Sequence, residues 1–96
     1  MAFTLEKFND SLTKNAPPSE ISVHLKALWY DAKGDWQQAH NLIDHLEDST
    51  SAHVHAYLHR KEGDLWNAKY WYKRAEQIMP EKSLQEEWTD LFYLLR

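Results

Sequence analysis

Ninety-six residues with five Trp, five Tyr and three Phe but only two Gly and three Pro describe one small domain of long elements, few breaks and bulky core material. A formal charge of −4 with no basic stripe argues against nucleic acid as a partner, and the lack of cysteine excludes disulfides, thiolate nucleophiles and cysteine-ligated zinc. The opening MAFTLEKFND has no basic stretch followed by an apolar run, and no run of about eighteen apolar residues occurs, so a soluble, cytoplasmic protein with no membrane partner is expected.

Helical periodicity runs through the chain. Leu5, Phe8 and Leu12 share a face behind a Thr4 cap, and NAPPS at 15–19 stops this first helix, because proline cannot continue it. Ser19 can cap the second helix, in which Ile21, Leu25, Leu28, Trp29 and Ala32 keep helical spacing up to Gly34. Asp35 then caps a third helix carrying Trp36, Ala39, Leu42, Ile43 and Leu46, closed by the polar run EDSTS. A fourth helix contains Ala52, Ala56 and Tyr57 and extends to Glu62, with Gly63 ending it. Asp64 caps a fifth, through Ala68, Trp71, Tyr72, Ala75 and Met79 to Pro80. Ser83 and Glu86 have capping-box spacing before a sixth helix with Leu84, Trp88, Leu91, Phe92 and Leu95. The fold class expected is all-α, about six helices arranged as antiparallel hairpins in a single domain over residues 1–96.

Sliding the chain over itself by 29 residues superposes His24 on His53, Ala27 on Ala56, Gly34 on Gly63, Asp35 on Asp64 and Ala39 on Ala68. Each hairpin turns on Gly-Asp: glycine for the positive φ that follows many helices, aspartate for the free amides of the next one. Ala27 opposite Ala39 and Ala56 opposite Ala68 would let the paired axes approach closely, with aromatics filling the wider gaps.

Gly63, Asp64, Ala68, Tyr72, Ala75 and Pro80 resemble the second half of a tetratricopeptide repeat. The resemblance covers 20–82, with repeats at 20–48 and 49–82. The first is shorter than the usual length of about 34 residues and lacks the closing proline, while Ala56 and His59 replace the Gly and Tyr common in the first helix of the second. Two repeats fall short of the roughly three that stack stably, so the N-terminal helix and linker at 1–18, with Phe3, and the C-terminal helix at 83–96 are expected to cap a tetratricopeptide-like α-solenoid.

The resemblance implies a non-enzymatic adaptor that holds a partner protein or peptide in a concave groove lined by the first helix of each hairpin. The groove positions it assigns are His24, Leu28, Asp31, His53, Tyr57 and Arg60, with His24 and His53 equivalent and Asp31 and Arg60 able to form a surface ion pair. The apolar terminus LFYLLR offers a second reading, homodimerisation through Trp88, Phe92 and Leu95. Trp66 and Tyr70 are the better candidates for an exposed contact within WNAKYWYKRA.

Six histidines raise a metal-dependent or hydrolytic alternative. His55 and His59 lie one turn apart, but two ligands do not make a zinc site. His53 points away from His55, His40 and His45 align poorly, and no HExxH occurs. With no nucleophile, phosphate loop or cofactor motif beside them, neither metal nor cofactor nor catalytic residue is assigned.

Overall fold

The computed structural model describes residues 4–96, so Phe3 lies outside the described residues. Six helices follow one another: α1 (Leu5–Ser11), α2 (Val23–Ala32), α3 (Trp36–Ile43), α4 (Ser49–Glu62), α5 (Leu65–Arg74) and α6 (Leu84–Leu95), and no strand occurs among the described residues. No helix is long and apolar enough to cross a membrane among the described residues.

The caps explain most boundaries. Thr4, Asp35, Asp64 and Ser83 each accept a bond from a first-turn amide, as their spacing implies, and Ser83 with Glu86 closes a reciprocal capping box. Other ends differ from the sequence expectation. Ser19 instead donates its hydroxyl to the Glu20 carboxylate, and Ser22 caps α2, leaving Ile21 buried just outside the helix. The EDSTS run is not all loop, because Asp48 caps α4 and Ser49 to Ser51 form its first turn. The third helix ends at Ile43 rather than reaching Leu46.

The C-terminal ends of α2, α4 and α5 close alike. At the first two, Gly34 and Gly63 sit at φ +86° and +90°, with Asp35 N–H donating to the Tyr30 carbonyl and Asp64 N–H to that of His59. The fifth helix stops six residues before Pro80 because Glu76, at φ +59°, takes the left-handed position and Gln77 N–H reaches the Tyr72 carbonyl. A β-carbon at Gly63 would meet nothing within 4 Å, so only the backbone opposes Gly63→Ala. That variant is expected to lose about 1 kcal/mol in urea unfolding; an unchanged midpoint would show that the turn tolerates a side chain.

These turns fold α2 onto α3 and α4 onto α5, while α3 and α4 join the two hairpins. Ala27 and Ala39 are fully buried in one cluster, and Ala56 and Ala68 with Tyr72 in another, so the small residues sit where the paired helices meet. Trp36 adds a tie between hairpins, its indole N–H donating 2.7 Å to the Leu58 carbonyl.

The sixth helix packs on both α2 and α4. Its apolar stripe, Trp88, Leu91 and Phe92, enters the main core with Leu25, Leu28, Val54 and Tyr57. The first helix closes this end through Phe8, whose ring lies 5.6 Å from Trp88 and 5.0 Å from Phe92. It is tied to α2 by the Trp29 indole N–H donating to Ser11 Oγ and by Lys33 Nζ donating to the Leu12 and Lys14 carbonyls.

Candidate functional site

The six residues assigned to a groove do gather on neighbouring faces of α2 and α4, but that face is covered by α6. Leu28 and Tyr57 are buried, and the Trp88 indole N–H donates 3.2 Å to the Leu28 carbonyl. Asp31 is only 2 % exposed, so the surface ion pair with Arg60 does not form. Instead, Asp31 accepts Lys61 Nζ at 2.8 Å and the Tyr57 hydroxyl at 2.9 Å, and burial together with the Asp31 charge raises the Tyr57 hydroxyl far above the ordinary phenol range. Arg60 turns the other way, donating to Glu87 on α6 at 2.8 Å and to the Lys82 carbonyl ahead of it.

Glu87 is the centre of this contact. It is 3 % exposed and also accepts the Tyr72 hydroxyl of α5, whose ionisation is opposed first by burial and then by that bond. One carboxylate thus joins α4, α5 and α6, and its place on the apolar side of α6 is a departure from clean amphipathic patterning.

The equivalent histidines go to different partners. His24 Nε2 lies 2.7 Å from Ser51 Oγ and 3.5 Å from Asp48. His53 sits 6.0 Å from the Tyr72 ring, and burial lowers its pKa below the usual histidine value. It borders a cleft of about 170 Å³ with Ile78, Pro80, Leu91 and Leu94, formed between α4, the segment that follows α5 and α6 itself. Ile78 is 92 % exposed and Leu94 64 %.

The residues assigned to self-association divide. Trp88 and Phe92 are buried inside their own chain and Leu95 is half-buried, so the exposed apolar side of α6 is Tyr93 and Leu94. The expectation for α5 fares better: Trp66 is 77 % exposed and Tyr70 45 %, with the Arg74 guanidinium over the Tyr70 and Trp71 rings.

A second constellation was only half visible in the sequence. His55 and His59 share a face of α4, and the α3–α4 contact brings His40 against them, its Nε2 3.0 Å from His55 Nε2. The rings of His55 and His59 are stacked at 4.8 Å, that of His40 lies 5.4 Å from His59, and Trp36 and Trp71 stack on His40 and His55 at 4.8 and 4.0 Å. Burial lowers His40, and burial reinforced by the neighbouring imidazoles takes His55 to about 4, so His55 is neutral at pH 7. His53 lies on the α6 side of the same helix, as its two-residue offset requires.

Comparison with known protein families, curated proteins and solved structures found no match.

Proposed function

We propose that this chain is a non-enzymatic interaction module of tetratricopeptide-like hairpins whose α2–α4 face receives a helical segment of a partner protein, with α6 as its own occupant when the partner is absent. The observation that carries this reading is the seat of α6. An amphipathic helix lies across the first helices of both hairpins, anchored by an indole on the Leu28 carbonyl and by Glu87 between Arg60 and Tyr72. Such a face is suited to helix-in-groove recognition, in which apolar anchors at helical spacing supply affinity and a charged pair sets register. The cleft beside His53, with exposed Ile78 and Leu94 at its edge, gives an incoming segment a first foothold.

Partner capture by cross-linking in the native cell extract, comparing the wild type with Glu87→Ala, tests the reading. Loosening α6 is expected to increase capture of the same partners, since an internal competitor is weakened. Capture that is identical in both proteins would remove the α2–α4 face as the seat. The comparison is made where circular dichroism shows the variant still helical.

A further inference from the structure

We infer that His40, His55 and His59 form a binding site for one divalent first-row transition ion of the zinc class. The inference is independent of the interaction reading, since this cluster lies where α3, α4 and α5 meet, on the opposite side of α4 from His53 and α6.

Each imidazole contributes one ring nitrogen, and all three nitrogens lie within 4.8 Å of one another. Tetrahedral zinc with Zn–N bonds of 2.0–2.1 Å places its ligands about 3.4 Å apart. His40 Nε2 and His55 Nε2, at 3.0 Å, are already close to that spacing, so an ion entering between them replaces their mutual hydrogen bond after side-chain rotations of about 1 Å. Three histidines satisfy three positions of a tetrahedron and leave the fourth to water or an external ligand.

The surroundings supply what usually orients such ligands. His59 Nδ1 is 3.1 Å from Glu62, which leaves its Nε2 as the ligand atom, while His40 already presents Nε2 to His55, with Asp44 3.8 Å from its Nδ1 as a nearby charge. The indoles of Trp36 and Trp71 wall the cluster, and His40, with 19 % of its side chain exposed, gives an ion a way in. Imidazole ligands with carboxylates behind them favour zinc, cobalt, nickel or copper over calcium and magnesium, which take oxygen.

The test titrates the full chain, prepared without a histidine tag, with Co²⁺ and then displaces it with Zn²⁺. The result expected is saturation at one equivalent with the intense visible absorption of low-coordinate cobalt, bleached by one equivalent of zinc, and a zinc-dependent rise in melting temperature. His40→Ala, which removes the most accessible ligand, is expected to weaken binding at least tenfold, and Glu62→Gln, which frees His59 Nδ1, about 10- to 100-fold. His45→Ala, at an exposed position between α3 and α4, should bind as the wild type does. No saturable cobalt spectrum in the wild type, or equal affinity in His40→Ala, overturns the site. The wild-type spectrum decides the matter should the alanine variant not fold.

Discussion

Glu87→Ala is expected to destabilise the protein by about 3 kcal/mol, the lower end of the usual loss when one member of a buried ion pair is removed. The carboxylate is nearly inaccessible and receives both the Arg60 guanidinium and the Tyr72 hydroxyl. Alanine leaves the Tyr72 hydroxyl and one Arg60 nitrogen without their acceptor, and these unpaired donors, rather than the lost attraction, account for most of the loss. Arg60 keeps its bond to the Lys82 carbonyl, which holds the effect near the lower bound. For a domain of this size, such a loss lowers the melting temperature by roughly 10–20 °C. Hydrogen exchange locates the damage: amides of 84–95 should lose protection first, while α4 and α5, held by their own hairpin contact, open later. Glu87→Gln keeps an acceptor for Tyr72 and should fall between the two. A loss under about 1 kcal/mol for Glu87→Ala, or uniform loss of protection, would mean that this carboxylate does not fasten α6.

Acidification of the wild type from pH 7 to 4 should remove roughly 3 kcal/mol of stability through His55, measured in chelator so that no ion competes with the proton. His55 has a pKa of about 4 in the folded chain, against the ordinary 6.5 of an exposed imidazole. A lowered pKa means that the unfolded chain binds the proton first. The stabilisation is therefore complete above about 6.5, declines as pH falls, and is exhausted near 4, where the folded state also protonates. Burial is the main cause. His40 from α3 and His59 from the same helix push in the same direction, Asp44 opposes them, and Trp71 of α5 adds only an uncharged ring. Burial also lowers His40 and His53, which steepens the same slope. Urea midpoints at pH 7, 5.5 and 4 read the effect. His55→Gln should begin lower at pH 7 but lose less on acidification, and parallel slopes in the two proteins would assign the acid sensitivity elsewhere.

How much was legible depends on where each signal resides. Gly34-Asp35 and Gly63-Asp64 mark their turns because positive φ and amide capping are demands that a local residue must meet, and the structure meets them there. Glu76 takes the same conformation without the residue that announces it, so the periodicity overruns the end of α5 toward Pro80. Spacing put Trp66 and Tyr70 on the outside and separated His53 from His55, since one helix fixes its own faces. Spacing could not bring His40 to His55 and His59, because that distance is set by the angle between two helices. Their only hint was three histidines on consecutive elements beside Trp36 and Trp71.

The residue pattern alone settled what lies within reach of a single helix or turn: six helical segments, most of their caps, two glycine turns and the small residues at the crossings. Tertiary packing decided the rest. The apolar stripe of α6 reads equally well as a dimer contact or a core element, and only the burial of Trp88 and Phe92 against α1, α2 and α4 distinguishes them. An amphipathic sequence records that a face must be covered, whereas what covers it depends on shape and charge supplied by distant segments, here the Arg60 and Tyr72 groups that donate to Glu87.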